Sequence, residues 1–390
     1  MSNYTLEQTD GHARAGVFHT RRGSVQTPLF FSVATRGAIK AGLTVEDLRA
    51  IQAPFVLSNT YHLALRPGTD VLDALGGLHA FMGWEGPIIT DSGGFQVYSL
   101  QQKKITDAGV RFRNHLNGDE LWLDAEESMR IQHSIGSDVL MTFDDCPPSF
   151  PRDEAVSKRK QQRVRDALTR TQAWAERCCQ YHFARYPQTL SVTERPQLFG
   201  IVQGGCDISL RQQSLEGLLQ LPFDGYAMGG LAVGEPPEDM YRVLSATMPL
   251  LPVEKPHYLM GVGTPRDLLE CIARGVDMFD CVMPMRNARH GTLFTDAGVL
   301  KVTAARYRTD EKVIDPHCDC PACIAGYSRS YLHHLLRVGE VTGQRLCTLH
   351  NLRYYLRLME DARAEILAQR YHPWMAEKLA GWGYPVYTAE

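Results

Sequence analysis

One carboxylate in this sequence, Asp280, follows a short apolar run (residues 276–279) within the segment Gly275–Gly291. A carboxylate at the end of a buried strand costs free energy unless it has a function. Arg286 and Arg289 follow it closely, and guanidinium groups bind phosphate through paired hydrogen bonds. The segment therefore predicts nucleophilic chemistry on a partner that carries phosphate.

Three cysteines close together form a second candidate site, this one for a metal ion. Cys318, Cys320 and Cys323 have the spacing Cys-x-Cys-x2-Cys, which suits three thiolate ligands of tetrahedral zinc. Spacing alone leaves the fourth ligand open among the histidines His317, His333, His334 and His350. Four protein ligands would close the site, so a structural zinc ion is predicted. Buried free thiols are disfavoured, because close thiolates without a metal repel and oxidise.

Composition limits the class of protein. The chain has 390 residues, 44% of them apolar, and a net charge of −3. It can therefore bury a large core, and any contact with RNA must be local rather than a general basic coat. The first residues show no apolar signal region, and no run reaches ~18 apolar residues. We expect a cytoplasmic protein without membrane spans, whose ten cysteines are reduced.

Alternating strands and helices must position the candidate residues. Helix start signals occur at Thr44–Asp47, Asp124–Glu127 and Thr264–Pro265, between short apolar runs of strand length. The eight runs are Leu29–Val33, Pro54–Leu57, Pro87–Ile89, Val139–Phe143, Leu198–Val202, Tyr226–Met228, Tyr258–Met260 and Val276–Phe279. This repeated alternation predicts an α/β fold, the (β/α)8 or TIM barrel.

Polar residues and glycines follow most of these runs. In a (β/α)8 barrel the carboxyl ends of the strands form the active site. The residues expected there are Asp91, Asp144, Gln203, Gly229, Gly230 and Asp280. Asp277 comes earlier in its run, so we expect a structural role for it.

The chain is predicted to have three regions. Residues 1–302 form the barrel with an N-terminal β-hairpin over Ala13–Thr27, residues 303–350 form an inserted zinc-binding subdomain, and residues 351–390 form C-terminal helices that complete the barrel. A helical pattern over residues 152–186 carries the basic residues Lys158, Arg159, Lys160, Arg163, Arg165 and Arg170. They form either a solvated helix face or a contact with RNA phosphates.

Five motifs resemble those of a single family. They are Thr90–Gln96 (TDSGGFQ), Phe199–Gly205 (FGIVQGG), Gly229–Glu235 (GGLAVGE), Tyr258–Gly263 (YLMGVG) and Asp277–Cys281 (DMFDC). In this order, and with the cysteines and His350, they resemble bacterial queuine tRNA-ribosyltransferase, also called tRNA-guanine transglycosylase. The resemblance runs from the N-terminal hairpin to about residue 370.

The resemblance implies a TIM barrel with a zinc subdomain that works as a homodimer. It implies exchange of guanine-34 in the GUN anticodons of the tRNAs for Asp, Asn, His and Tyr for the queuosine precursor preQ1, through a covalent tRNA intermediate on Asp280. By the same resemblance, Asp91 is the general acid and base. The other implied residues are Asp144, Gln203 and Gly230 at the base edge, Phe95 and Met260 on the base faces, Arg286 and Arg289 at the anticodon loop, and Cys318, Cys320, Cys323 and His350 on zinc.

Simpler roles stay open for several of these residues. Asp91 and Asp144 could cap the helices that follow their strands. Phe95 and Met260 could be core residues, and Gln203 could satisfy a loop backbone.

Some positions depart from the family pattern or vary within it. Met285 stands where a threonine is expected, His290 where a smaller residue or an amide is commoner, and residues 145–148 read DCPP. The resemblance associates Cys146 and Val233 with preQ1; a member that inserts queuine or preQ0 is the alternative.

Two rival classes of protein are less favoured. A catalytically silent RNA-binding subunit would not need both Asp91 and Asp280. A TIM-barrel metal hydrolase needs histidines at the strand ends, and these strand ends offer acids, glutamine and glycine.

Overall fold

The structure is a computed structural model that describes residues 2–100, 103–151 and 157–384, with only the backbone described for residues 97–99. Residues 152–156 of the predicted basic helix and residues 385–390 of the predicted C-terminal region lie outside the described residues. Across the described ranges, no helix has both the length and the apolar character needed to cross a membrane. All ten cysteines are free.

Eight parallel strands close into a barrel, which confirms the predicted fold. The strands in chain order are β1 (Tyr4–Asp10), β2 (Ala13–Thr20), β3 (Gly23–Thr27), β4 (Leu29–Val33), β5 (Val56–Ser58), β6 (Ile88–Thr90), β7 (Lys103–Ile105), β8 (Val110–Arg113), β9 (Glu120–Leu123), β10 (Val139–Met141), β11 (Gln197–Val202), β12 (Gly225–Met228), β13 (His257–Leu259), β14 (Met278–Asp280), β15 (Thr292–Thr295) and β16 (Gly298–Lys301). The barrel order is β4, β5, β6, β10, β11, β12, β13 and β14, and β14 pairs with β4. Each of the eight apolar runs overlaps one barrel strand.

Helices surround the barrel and follow most of its strands. They are α1 (Val45–Ala50), α2 (Thr60–Leu65), α3 (Thr69–Ala74), α4 (Leu78–Met82), α5 (Gly94–Ser99), α6 (Ala125–Ile135), α7 (Lys158–Arg185), α8 (Ile208–Leu218), α9 (Pro237–Thr247), α10 (Pro265–Ile272), α11 (Met283–Arg289), α12 (Pro321–Ile324), α13 (Arg329–Val338), α14 (Val341–Leu367) and α15 (Tyr371–Gly381). The predicted start signals are confirmed: Thr44, Asp124 and Thr264 each accept a hydrogen bond from the third residue of the helix they cap.

Three smaller sheets lie outside the barrel. The predicted hairpin is the pair β2–β3, and β1 adds a third antiparallel strand that the sequence analysis missed. A meander of β7, β8 and β9 follows β6 and α5, and β15 pairs with β16. Neither of these was predicted. The meander strands are only three or four residues long, which is too short for a clear alternating pattern.

Buried aspartates link neighbouring barrel strands at their amino ends through hydrogen bonds. Each one directly precedes a strand and accepts a hydrogen bond from a backbone N–H of the neighbouring strand. The pairs are Ile88 with Asp138 at 2.8 Å, Leu198 with Asp224 at 2.9 Å and His257 with Asp277 at 2.8 Å. Asp277 also forms an ion pair with Arg14 at 3.2 Å. This is the structural role expected for Asp277.

The apolar core has two parts. The larger fills the barrel and its helices and includes the second half of α14, whereas the smaller joins the cysteine cluster to α11, α13 and the start of α14. Helix α14 runs without interruption across residue 350, where the last predicted region begins. The division into residues 1–302, 303–350 and 351–390 stays a prediction.

Candidate active site and metal centre

A cavity of about 360 Å³ opens at the carboxyl ends of the barrel strands. It brings together residues that are far apart in the chain, because barrel closure places all strand ends around one opening. Seven of the predicted site residues line it: Asp91, Phe95, Asp144, Gln203, Gly230, Met260 and Asp280. The apolar part of the lining includes Val33, Leu57 and Val282.

Asp280 is the last residue of β14 and is held from one side. Its Oδ1 accepts hydrogen bonds from the Tyr258 hydroxyl at 2.6 Å and from the Gly261 backbone N–H at 2.8 Å. Burial raises the pKa of Asp280, and these two donors oppose that shift. Among the described residues, no hydrogen bond reaches its Oδ2. Two donors thus fix one carboxylate oxygen, and the other has no donor among the described residues.

Asp91 faces the same cavity from the end of β6. Its Oδ1 accepts a hydrogen bond from the Thr60 backbone N–H at 2.9 Å, and its Oδ2 accepts one from the Asn59 amide. Burial, and then the negative charge of Asp280, raise the pKa of Asp91 to about 7. A carboxyl group with this pKa can both donate and accept a proton near neutral pH.

Asp144 and Gln203 form a polar pair on one wall. The Gln203 amide Nε2 donates to Asp144 Oδ2 at 2.8 Å, and the Ser92 hydroxyl donates to Asp144 Oδ1 at 2.7 Å. Burial raises the pKa of Asp144 to about 6. The carbonyl oxygen of Gln203 is buried and has no hydrogen-bond partner among the described residues. Both side chains therefore present polar atoms suited to a heterocyclic base.

Position 230, which lies against the Gln203 side chain, requires glycine. A Cβ atom at Gly230 would lie 2.4 Å from Gln203 Oε1, and the residue has φ +64°. Both the contact and the left-handed backbone exclude larger residues. Main-chain atoms therefore lie close to the space that a bound base would occupy.

The candidate stacking residues differ in exposure. The Phe95 side chain is 51% exposed, so the core interpretation fits it poorly. Met260 is half-buried and packs against the barrel core while also lining the cavity. Cys146 and Val233 line the same cavity.

Arg286 and Arg289 lie on α11, directly after the nucleophile candidate, and neither lines the cavity. Arg286 is exposed and Arg289 is half-buried. Val282, which does line the cavity, connects their helix to β14. Met285 is buried in the core at 3% exposure, so this departure from the family pattern faces the protein interior.

Two of the basic residues of α7 point inwards. Asp145 forms ion pairs with Arg163 at 2.5 Å and with Arg170. These two arginines therefore form neither a solvated helix face nor a contact with RNA phosphates, and both interpretations are wrong for them. Their guanidinium groups are bound by a buried carboxylate. Lys158, Arg159, Lys160 and Arg165 are exposed.

The cysteine cluster forms a compact group with one histidine. Cys318, Cys320, Cys323 and His350 are buried, and their ligand atoms all lie within 4.8 Å of one another. His350 Nδ1 lies 3.7 Å from the Cys320 sulfur and 3.5 Å from the Cys323 sulfur. Its Nε2 lies 2.8 Å from the Phe294 carbonyl oxygen, to which an Nε2–H donates, so the Nδ1 lone pair faces the sulfurs.

The geometry decides between the four candidate histidines. His333 Nδ1 is bonded to the Val302 carbonyl oxygen at 2.9 Å, and His317 and His334 are outside the compact group. Three sulfurs and one imidazole nitrogen can hold a metal ion, and with four protein ligands no open position is left for a substrate.

Comparisons with known proteins agree on one family. A family model described as queuine tRNA-ribosyltransferase matches residues 9–384. The queuine tRNA-ribosyltransferase of Vibrio vulnificus (strain YJ016) is 51% identical over 376 residues, which cover 96% of this chain and 95% of that protein. The protein of the same name from Photobacterium profundum is 49% identical over 376 residues, or 96% of each chain.

The chain belongs to the queuine tRNA-ribosyltransferase family. Membership makes it a transferase that modifies tRNA. In this family member, the sequence analysis missed three residues that support the site: Asn59, Tyr258 and Arg211. Asn59 directly follows β5 and Tyr258 lies within β13 and begins one of the five motifs, so both had a usable signal in the sequence. Arg211 lies within helix α8, and nothing in its local sequence indicates that it points towards the barrel.

Proposed function

We propose that this protein exchanges guanine-34 in GUN-anticodon tRNAs for preQ1 by double displacement through Asp280. The observation that carries the proposal is the pairing of two buried carboxylates in one cavity, one of them with a pKa near 7 and the other held by two donors. Retention at an anomeric carbon requires a carboxylate nucleophile and a separate acid and base.

In the first half-reaction, Asp280 attacks C1′ of the ribose. A carboxylate oxygen forms a bond to C1′ while the C1′–N9 bond breaks and its electron pair passes to guanine. Protonated Asp91 donates its proton to the departing base. The product is a covalent ester between the tRNA ribose and Asp280.

In the second half-reaction, preQ1 replaces guanine. Asp91, now a carboxylate, accepts the N9 proton of the incoming base. The N9 lone pair attacks C1′ and the ester bond to Asp280 breaks, which returns both carboxyl groups to their starting states. Two inversions at C1′ give net retention.

Base recognition is proposed to use the polar wall and the two stacking residues. Asp144 accepts hydrogen bonds from N–H groups of the base, the Gln203 carboxamide meets its edge, and the Gly230 backbone approaches it closely. Phe95 and Met260 lie on its faces, since a target nucleotide taken out of its loop needs stacking partners. Arg286 and Arg289, just outside the cavity, hold the anticodon-loop phosphates.

The remaining partners follow from the same proposal. We propose zinc as the ion of Cys318, Cys320, Cys323 and His350, because three thiolates and one imidazole form a common tetrahedral zinc set. We also expect a homodimer, testable by sedimentation velocity. A cytoplasmic location is proposed with them, since a tRNA substrate is found there.

Trapping of the intermediate tests the proposal. Wild-type protein incubated with unmodified GUN-anticodon tRNA should form a denaturant-resistant adduct, and Asp280→Asn should form none. Asp277→Asn is the matched control, since Asp277 is buried three residues earlier but lies at the other end of β14. An adduct that persists in Asp280→Asn shows that another group is the nucleophile. Failure of wild-type protein to form any adduct favours a silent RNA-binding subunit.

Base preference is tested by competition. Release of labelled guanine from tRNA should respond to preQ1 at much lower concentrations than to queuine or preQ0, because Cys146 and Val233 narrow the cavity wall. Val233→Gly removes the branched side chain and should improve use of queuine relative to preQ1. Equal or better use of queuine by wild-type protein supports the alternative substrate.

A further inference from the structure

Arg211 on α8 is fully buried, yet no carboxylate pairs with it among the described residues. A buried guanidinium usually has an acidic partner, because desolvation of an unpaired charge is costly. Burial lowers the pKa of Arg211 to about 10, so the side chain is still protonated at neutral pH. Its charge must be stabilised by something other than an ion pair.

Main-chain carbonyl groups stabilise it. Arg211 Nη1 donates to the carbonyls of Val202 and Gly229, each at 2.7 Å, and Nε donates to that of Gly205 at 2.8 Å. Nη2 donates to the Gly230 carbonyl at 3.3 Å. One side chain thereby joins the ends of β11 and β12, whose loops carry Gln203 and the glycine pair.

These contacts fix the direction of groups that face the cavity. In a trans peptide the C=O and N–H point in opposite directions. When the Gly229 and Gly230 carbonyls point to Arg211, the N–H groups of Gly230 and Leu231 point away from it. Both residues line the cavity. A cation bound to the carbonyl of a peptide also polarises the N–H of the same peptide, which makes it a better donor.

We propose that Arg211 is a positioning residue for base binding, which aims and polarises the backbone N–H groups of Gly230 and Leu231 from behind the cavity wall. This inference rests on the proposed function and deepens it, since the ligand is the heterocyclic base rather than the RNA. The proposal predicts that a change at Arg211 weakens the binding of the incoming base more than the binding of tRNA.

The variant Arg211→Lys tests the proposal. It keeps the positive charge, but an ammonium group cannot reach four carbonyls with the fixed geometry of a guanidinium. We expect the KM for the incoming base to rise about tenfold, the size of effect that follows from weakening one or two hydrogen bonds. The KM for tRNA should change by less than about twofold, because phosphate contacts outside the cavity supply most of the affinity for RNA. Arg211→Gln, which also removes the charge, should raise the KM for the base further.

Arg363→Lys is the matched control. Arg363 is also buried and donates to two main-chain carbonyls, those of Gly16 and Thr27, each at 2.8 Å. It differs in having an acidic partner, Glu7, and in lying at the amino end of the barrel. It should lower the melting temperature without changing the KM for the base. If Arg211→Gln fails to fold, Arg211→Lys with a wild-type-like circular dichroism spectrum carries the test.

The outcomes distinguish a failure of the proposed function from a failure of the role proposed for Arg211. If wild-type protein exchanges no base, the proposed function is wrong. If wild-type protein is active and Arg211→Lys leaves the KM for the base unchanged, or raises the KM for tRNA equally, Arg211 is only a structural clamp.

Discussion

Asp91 and Asp280 have the same side chain and line the same cavity, but their hydrogen bonds and neighbouring charges differ, and with them the pKa of each carboxyl group. Tyr258 and Gly261 both donate to one oxygen of Asp280, which favours its ionised form. Burial raises the pKa of both carboxyl groups, and the nearby charge of Asp280 raises that of Asp91 further, to about 7. The two environments therefore fit the roles proposed for them, a nucleophile for Asp280 and an acid and base for Asp91.

The pKa of Asp91 predicts an alkaline limit to guanine release. The first half-reaction needs a proton on Asp91, and the protonated fraction falls tenfold per pH unit above about 7. The single-turnover rate of adduct formation should fall accordingly between about pH 7.5 and about pH 9. Rapid-quench measurements test this, with Asp91→Asn as the control that should be slow at every pH. A rate that is constant across this range would show that Asp91 is not the titrating acid.

Adduct formation should also slow at acidic pH, where Asp280 becomes protonated. Tyr258→Phe should shift this slowing to higher pH. The tyrosine hydroxyl lowers the pKa of Asp280, so its removal leaves less of the nucleophile ionised at low pH. A hydrogen bond to a charged group contributes about 2 kcal/mol, so the pH below which adduct formation slows should rise by about 1.5 units. Tyr226→Phe, on the neighbouring strand, is the control. Equal pH profiles for both variants contradict the proposed role of Tyr258.

At the scale of elements, helix α7 anchors the loop that carries Asp144, part of the proposed base-binding wall. Arg163 and Arg170 reach from α7 to Asp145, the residue next to Asp144. The helix looks like a solvated basic surface in sequence, because charge patterning does not show which arginines meet a carboxylate from another element.

Arg170→Met should therefore weaken both stability and base binding. It leaves buried Asp145 with a single arginine partner, which is expected to lower the free energy of unfolding by about 2 kcal/mol. Urea unfolding measures this, and the KM for the base should rise with it. Arg165→Met, an exposed substitution on the same helix, should change the free energy of unfolding by less than about 0.5 kcal/mol. Similar effects from both variants would contradict the anchoring role.

The candidate metal centre is connected to α11, the helix that follows Asp280, through helix α14. Asn351, next to His350, donates to the carbonyls of Pro284 at 2.9 Å and Thr292 at 3.0 Å. Pro284 belongs to α11, which also carries Arg286 and Arg289. Asn351, beside the candidate ligand His350, thus supports the helix that is proposed to hold the anticodon loop.

Loss of the metal should reduce tRNA binding more than base binding. His350→Ala removes one of four ligands, so the bound ion, measured by mass spectrometry, should fall well below one per chain. The KM for tRNA should rise because α11 loses its support, whereas the KM for the base should change little. His333→Ala, which lies outside the ligand group, is the control and should retain the ion. A fully loaded His350→Ala protein would contradict the assignment.

At the scale of the whole molecule, the two ends of the barrel have different tasks. The carboxyl ends of the strands carry the cavity. At the amino ends, the buried residues Asp138, Asp224 and Asp277 connect neighbouring strands by hydrogen bonds. The sheet of β1, β2 and β3 supplies Arg14 and Tyr4 to the last of these. Barrels commonly separate stability and catalysis in this way.

Arg14→Met should therefore lower stability without changing catalysis. It leaves Asp277 buried without its cation, which is expected to lower the free energy of unfolding by about 3 kcal/mol. At temperatures well below the melting transition, kcat/KM for tRNA should stay within about twofold of wild type. Chemical denaturation and steady-state exchange measure the two quantities. A loss of activity that parallels the loss of stability would contradict the separation of the two ends.

The sequence by itself determined the barrel strands, the helix starts and most of the cavity residues, because each depends on local periodicity or on a short motif. The tertiary structure decided what depends on chain closure: which histidine lies with the three cysteines, a choice that spacing alone left open, the inward direction of Arg163 and Arg170, and the place of Arg211 behind the cavity wall. It also separated Asp91 from Asp280, since burial and a neighbouring charge shift a pKa only when residues far apart in sequence meet. Local patterns specify the elements, and contacts between elements specify the chemistry.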